Sequence, residues 1–206
     1  MEQPNSELRR LIERLRAGDT TAWDELLVKC QERLRLLTHR MLRHFHRLLR
    51  WEETDDVLQN ALLRLLRALN DPNVQAQMTS PEVFLRLAAT IIRRELIDLA
   101  RHYFGPYGHG SHAVTPPPDA ESTPRPVEPA AGSSSDPDKL INWEDFHKTI
   151  NDLPDENRWL FDLIWYHGLK QEEVAELVGM PLRTLKRHWR ASRNQVIKHY
   201  KGESPF

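Results

Sequence analysis

The sequence contains little of what would stabilise an exported protein or cross a membrane. Among its 206 residues there is one cysteine, Cys30, so no disulfide can form within the chain. No run of about 18 apolar residues occurs, and we therefore expect no membrane insertion. The opening residues, MEQPNSELRR, lack the apolar segment of a signal peptide, so we expect no export. Together these absences predict a protein of the reducing cytoplasm.

The sequence also lacks the patterns of strands and of catalytic sites. Alternation of apolar and polar residues is missing, whereas spacing of three and four residues is frequent, so the predicted fold is all-α. No nucleophile motif, glycine-rich phosphate loop or paired-histidine motif occurs, so we expect no enzyme, no cofactor and no metal site. We expect His39, His44 and His46 to lie on a solvated surface, and His109 and His112 lack ligand partners at metal-binding spacing.

One segment differs in composition from both of its neighbours. Residues 105–138 hold eight of the 14 prolines and half of the eight glycines, with one arginine against five acidic residues. Such a segment has too little apolar surface to offset the entropy lost on ordering, and it is predicted to be a disordered linker. The sequence therefore predicts two small helical domains, residues 1–104 and 139–206, joined by this linker.

Four helices are predicted in the first domain. A short one spans Leu8 to Leu15, and a longer one carries an apolar stripe from Trp23 to Leu48. A third begins at Thr54, where a threonine and two aspartates form a helix-start signal. The fourth begins at Ser80-Pro81-Glu82 and runs to about Tyr103.

The last of these helices has an apolar side and a polar, largely basic side. At 100° per residue the apolar residues from Leu85 to Leu99 cluster together. The opposite side contains, or lies close to, the following residues: Arg86, Thr90, Arg93, Arg94 and Arg101. Such a side is more typical of the solvated face of a helical bundle, and it also suits a helix that faces nucleic acid. This helix alone does not distinguish the two.

The second domain begins with two predicted helices. Apolar residues from Leu140 to Ile150 mark the first. The second opens at Pro154-Asp155-Glu156 and ends at Gly168, with Ile164 and Trp165 among its inward residues.

Two short helices then follow on either side of Gly179-Met180-Pro181. Glycine suits the left-handed conformation that ends a helix, and proline suits the restart of the chain. Leu182 to Lys201 contain seven Lys or Arg and no acidic residue, although the net charge of the whole chain is −1. Two helices joined by a tight turn, the second of them basic, are typical of a helix-turn-helix whose second helix enters the major groove. The alternative is a helical hairpin with a solvated basic face.

These motifs resemble bacterial RNA polymerase sigma factors. Leu153 to Arg193 is similar to sigma region 4 in its Leu-Pro pair, in EEVAELVG and in the Thr184-Leu185-Lys186 step. DDVLQNALLRLLRAL, from Asp55 to Leu69, resembles the region 2 helix that docks on core polymerase. FLRLAATIIRRELIDLAR, from Phe84 to Arg101, resembles the promoter −10 helix. Two such domains without a region 3 between them resemble the extracytoplasmic-function (ECF) class.

The resemblance implies a role for three groups of residues. Contacts with the promoter −35 element are expected from Arg183, Thr184, Lys186, Arg187, Arg190 and Arg193. Contacts with the −10 element are expected from Arg86, Thr90, Arg93, Arg94 and Arg101. Contacts with polymerase are expected from Asp55, Asp56, Gln59 and Asn60.

Several positions depart from the family pattern. Asn60 stands where an acidic residue usually follows Gln59. Lys170-Gln171 replaces the usual Ser or Thr cap of the first helix of the helix-turn-helix, so we expect a weaker cap there. Arg183 replaces a small residue before Thr184 and adds charge where the helix meets DNA.

As a sigma factor the protein would have core RNA polymerase, promoter DNA and an anti-sigma factor as partners. Two other hypotheses stay open at this point. One is a stand-alone helix-turn-helix regulator with a helical partner-binding domain, and the other is a helical adaptor that binds protein alone. The Asp55 to Leu69 helix discriminates among them, because a plain repressor has no need of a helix that docks on polymerase.

Overall fold

The computed structural model describes residues 4–104 and 143–200. Within these ranges the chain forms helices, turns and bends but no strand, which confirms the predicted all-α class. None of the described helices is both long enough and apolar enough to cross a membrane. The predicted linker, residues 105–138, lies outside the described residues, as do His109 and His112.

The N-terminal half, residues 4–104, contains five α-helices. Their bounds are α1, Pro4–Arg16; α2, Ala22–Leu42; α3, Thr54–Leu69; α4, Pro72–Gln77; and α5, Pro81–Phe104. The predicted starts at Thr54 and after Ser80 are confirmed, because both signals place acidic residues or proline in a first helical turn. The apolar sides of α2, α3 and α5 pack together to form the core of this half.

The C-terminal half, residues 143–200, contains four α-helices and a π-helical segment. Their bounds are α6, Trp143–Asp152; α7, Asp155–Leu160; the π-helical segment, Phe161–Tyr166; α8, Gln171–Val178; and α9, Leu182–His199. Leu185, Trp189 and Val196 are buried on one side of α9. Both α7 and α8 pack against α9.

The long second helix ends earlier than the apolar stripe predicts. The stripe runs to Leu48, but α2 ends at Leu42, and a 3₁₀ turn follows at Leu48–Arg50. The cause is the position of α3, whose Thr54 hydroxyl lies 3.2 Å from Nδ1 of His39 near the end of α2. Because α3 begins beside α2, the chain has to turn back, and it does so while keeping Phe45 and Leu48 buried.

In the helix that begins at Asp155, the side chains that face inward differ from those predicted. A regular α-helix would place Ile164 and Trp165 inward, but both are only half-buried. Leu163 and Tyr166 are fully buried instead. The amide of His167 donates to the carbonyl of Asp162, a wider spacing than in an α-helix, and this wider turn shifts the later side chains around the axis.

The central helix, α5, contacts both halves of the chain. One side packs on α2 and α3, and the other packs on α6 and the π-helical segment. Buried apolar residues continue from one half into the other without a break. The polar side of α5 therefore meets the C-terminal half in this arrangement rather than open solvent along its whole length.

Candidate nucleic-acid interface

The turn between α8 and α9 has the backbone geometry that its sequence predicts. Gly179 ends α8 with a φ of 66°, in the left-handed region. Its amide and that of Met180 donate to the carbonyls of Glu176 and Ala175, which are left open at the end of α8. Pro181, with a φ of −56°, then leads into α9. The sharp turn sets α9 against α8 with one side free.

The start of α8 has half of the usual helix-capping arrangement. Lys170 stands at the cap position, and its side chain has no acceptor for the exposed amides. The carboxylate of Glu173 reaches back and accepts a 2.7 Å hydrogen bond from the Lys170 amide. The expected weakness of this cap is therefore offset in part by Glu173.

The buried side of α9 is held by ring packing and a polar bridge. Trp189 packs edge-on against Phe161, with ring centroids 4.9 Å apart. The Ser192 hydroxyl donates to the side-chain oxygen of Asn157, whose amide group donates to Gln195 at 2.9 Å. These contacts orient α9 about its axis, so they determine which side chains face outward.

The outward side of α9 is basic and concave. The exposed side chains of Arg183, Lys186, Arg187 and Arg190 line an open depression together with Leu182. Lys186 lies 3.6 Å from the carboxylate of Glu172 on α8. Exposed pairs of this kind contribute at most about 1 kcal/mol, so Lys186 is free to exchange Glu172 for a phosphate.

Two predicted residues of α9 lie elsewhere. Thr184 is half-buried in the first turn of the helix. Arg193 is also half-buried, with its guanidinium carbon 6.0 Å from the centre of the Trp189 ring. The structure thus brings four of the six predicted α9 residues together on one surface and places Thr184 and Arg193 beside it.

The basic residues of α5 do not form one open surface. Arg94 and Arg101 are exposed, and Arg101 lies 4.0 Å from Asp98. Arg86 and Thr90 are half-buried. Arg93 is fully buried, with its side chain bonded to Asp162 of the C-terminal half. In this conformation Arg93 is not accessible to nucleic acid, because the C-terminal half covers the side of α5 that the helical wheel leaves polar.

The predicted protein-docking residues share an exposed surface. Asp55, Asp56, Gln59 and Asn60 are all exposed on α3, and Asp55 pairs with Arg35 of α2 at 3.0 Å. Exposed apolar residues lie on the same two helices, Leu36 on α2 and Leu63 on α3. Leu63 follows Gln59 by four residues and therefore lies on the same side of α3 as Gln59. An exposed apolar side chain among polar ones is a feature of protein-binding surfaces.

Sequence reasoning missed several residues that the structure singles out. Leu36 and Leu63 fall outside the apolar stripes of α2 and α3, which is the signal that could have identified them. Asp162 stands alone in the apolar run WLFDLIWY, and such a lone acid indicates a buried ionic contact. His44, predicted to be solvated, is half-buried and stacks on His147 at 5.5 Å, so that prediction is wrong. His39 and His46 are exposed, as expected.

Comparison with known proteins extends over both halves of the chain. Residues 5–202 match a family model described as ECF sigma factor. The RNA polymerase sigma-H factor of Pseudomonas aeruginosa is 24% identical over 198 residues, which cover 92% of this chain and 91% of that protein. The similarity is therefore not confined to the helix-turn-helix.

Proposed function

We propose that this chain, which belongs to the ECF sigma factor family, divides promoter recognition between its two halves. One half contributes α9 and the other contributes α5. As a member of that family it binds core RNA polymerase and directs promoter recognition at the start of transcription. It acts by binding, and its place of action is the cytoplasm. A match that includes α3 and α5 favours this function over a stand-alone helix-turn-helix regulator.

The α9 helix reads the −35 element in the major groove. The observation that carries this assignment is the exposed, acid-free basic surface of α9 next to a tight turn. Arg187 and Arg190 lie about one turn apart and are suited to bidentate contacts with guanine edges. Lys186 and Thr184 contact the backbone, and Arg183 adds a phosphate contact at the start of the helix.

The α5 helix contacts the −10 element. Arg94 and Arg101 are exposed and available to a DNA strand. Arg86, Thr90 and Arg93 complete the basic side, and they become fully available only when the C-terminal half moves away from α5. A two-domain organisation, with residues 1–104 and 139–206 joined by residues 105–138, would allow this movement.

The α2 and α3 surface docks on core polymerase. Asp55, Asp56, Gln59 and Asn60 supply polar contacts, and the half-exposed side chain of Leu63 supplies apolar area. Interfaces of this kind concentrate binding energy in a few central side chains, so Leu63 is the apolar anchor of the surface. An anti-sigma factor remains a predicted partner on the strength of the family alone.

Transcription in vitro tests the whole proposal and requires no defined promoter. Core polymerase is incubated with fragmented genomic DNA of the source organism, with and without this protein, and transcript starts are sequenced. We expect new starts that share two upstream elements, together with retention of polymerase on the immobilised protein. DNA binding without retention of polymerase would instead support the stand-alone regulator. A protein that retains neither DNA nor core polymerase would support the adaptor.

A further inference from the structure

A buried ion pair joins the two halves of the chain. Nη1 of Arg93 on α5 donates a 2.6 Å hydrogen bond to the carboxylate of Asp162 in the π-helical segment. The two side chains are 0% and 2% exposed. Removing two charges from water is costly, and it is tolerated only when each charge has its partner in good geometry. Removing either partner therefore leaves the other as a costly unpaired charge for as long as it stays buried.

Further polar contacts surround this ion pair. The Arg93 guanidinium lies 5.0 Å from the centre of the Tyr166 ring, and the Tyr166 hydroxyl lies 2.7 Å from Nδ1 of His147. His147 stacks in turn on Phe45 of the N-terminal half, with ring centroids 4.8 Å apart. Arg40 of α2 donates to the carbonyl of Tyr166 at 3.0 Å. The contact is thus a specific, hydrogen-bonded junction rather than a loose apolar one.

The junction covers one of the two proposed DNA-binding helices and leaves the other open. Burial raises the pKa of the Asp162 carboxyl group, and the positive charges of Arg93, Arg158 and Arg86 oppose that rise. Asp162 therefore lies close to two of the basic residues of α5. The depression lined by Arg187 and Arg190 on α9 stays exposed in the same arrangement.

We propose that Asp162 forms an autoinhibitory contact in which its carboxylate occupies the place of a DNA phosphate on Arg93. The proposal rests on the assignment of α5 to the −10 element. In the closed form the free protein presents α9 but withholds the Arg86, Thr90 and Arg93 side of α5. The apparent affinity for the −10 strand then equals the affinity of the open form multiplied by the fraction of molecules that are open.

The test compares Asp162→Asn with Asp152→Asn in the full chain. Asp152 is exposed at the end of α6, so its substitution makes the same change in charge without touching the junction. Asp162→Asn leaves Arg93 buried and unpaired, and opening relieves this cost by hydrating Arg93. We expect a larger radius of gyration in solution scattering and faster hydrogen exchange in the peptide containing residues 86–93. Asp152→Asn should match the unsubstituted protein in both.

DNA binding provides the second readout. With single-stranded DNA of randomised sequence as the probe, Asp162→Asn should bind roughly tenfold more tightly than Asp152→Asn. Binding to duplex DNA through α9 should be equal in the two variants. An expanded Asp162→Asn protein with no gain in single-strand affinity would count against the role of α5 at the −10 element. It would also overturn the claim that the junction withholds that helix.

A double variant guards against simple misfolding. Arg93→Met with Asp162→Leu replaces the ion pair by an apolar pair of similar size, which buried sites often accept without loss of stability. We expect the double variant to recover the compact scattering profile, with helix content unchanged by circular dichroism. If Asp162→Asn keeps the scattering profile and exchange rates of the unsubstituted protein, the ion pair does not hold the halves together, and the proposal fails.

Discussion

The imidazole of His167 donates a 2.8 Å hydrogen bond to the carbonyl oxygen of Leu85, which lies 82 residues earlier on α5. The contact joins the end of the π-helical segment to a fully buried residue of the N-terminal half. Burial and two nearby arginines disfavour the protonated ring, so the imidazole is held neutral at this position.

This contact predicts a loss of stability in mild acid. Burial lowers the pKa of His167 to about 4, the hydrogen bond to Leu85 opposes part of that shift, and Arg33 and Arg40 add to it. Burial also lowers the pKa of His147 well below its ordinary value, with His44 and Arg93 acting in the same direction. A histidine with a lowered pKa contributes stability above its ordinary pKa of about 6.5, and that stability is lost as the pH falls toward 4.

We expect unfolding at pH 5 to require on the order of 2 kcal/mol less than at pH 7.5 through His167 alone. Thermal and urea unfolding followed by circular dichroism measure the difference. His167→Gln keeps a hydrogen-bond donor for Leu85 but cannot titrate, so it should reduce the pH dependence. His39→Gln, at an exposed site, should retain it in full. Equal pH dependence in both variants would exclude His167 as its source.

Two glycines with the same backbone angle should respond differently to alanine. Gly168 and Gly179 both have a φ of 66°. A Cβ at Gly179 would meet nothing within 4 Å, whereas a Cβ at Gly168 would lie 2.5 Å from Nη1 of Arg40. We expect Gly179→Ala to cost about 1 kcal/mol through the backbone alone. Gly168→Ala should cost more, because it also displaces Arg40 from the carbonyl of Tyr166.

Urea unfolding compares the two, and asparagine is the control at each site because it tolerates the left-handed region. Gly179→Asn should recover most of the loss, whereas Gly168→Asn should not. If both alanine variants lose the same stability, the Arg40 contact adds nothing to the junction.

Arg187 and Lys186 should have different effects on promoter binding. Replacing Arg187 with alanine removes a candidate bidentate contact and should relax preference at one −35 position by about 1–3 kcal/mol. Replacing Lys186 with alanine should weaken all sequences alike and lower the salt slope by about one unit. Binding to a promoter library at several salt concentrations separates the two effects. Lys198→Ala, exposed near the far end of α9, is the matched control and should change neither.

Unaltered affinity and salt dependence in both the Arg187 and Lys186 variants would mean that this side of α9 does not face DNA. The adaptor hypothesis would then gain support, because the basic surface would be no more than a solvated face.

The surface formed by α2 and α3 should be required for polymerase binding. Asp56→Ala combined with Gln59→Ala, or Leu63→Ser alone, should weaken binding to core polymerase at least about tenfold, because central interface side chains carry most of the energy. All three residues are exposed, so thermal stability should hardly change. Surface-immobilised core enzyme provides the measurement.

Glu156→Ala removes an exposed carboxylate from the first turn of α7 and is the control. It should bind polymerase as the unsubstituted protein does, and duplex DNA binding should be unchanged in every variant of this set. If the variant with both Asp56 and Gln59 replaced keeps full affinity for core polymerase, α3 is not the polymerase-binding helix.

Local signals in the sequence were sufficient to predict the starts of α3 and α5 and the turn before α9. The acidic start at Thr54, the Pro81 after Ser80 and Gly179 each act on their own few residues, through the helix dipole, a preset φ or a left-handed turn. The acid-free basic side of α9 is likewise readable, because helical periodicity alone separates it from Leu185 and Trp189.

Tertiary packing determines several features that helical periodicity does not predict. The early end of α2 depends on where α3 begins, and the exposure of Leu36 and Leu63 depends on which sides of α2 and α3 find partners. The burial of Arg93 depends on a carboxylate 69 residues away, carried by a π-helical segment whose wider turn no apolar spacing predicts. A helical wheel divides apolar from polar, but it does not show whether the polar side meets water or a buried countercharge. That choice is a balance between desolvation and pairing, and only the packed structure contains both contributions.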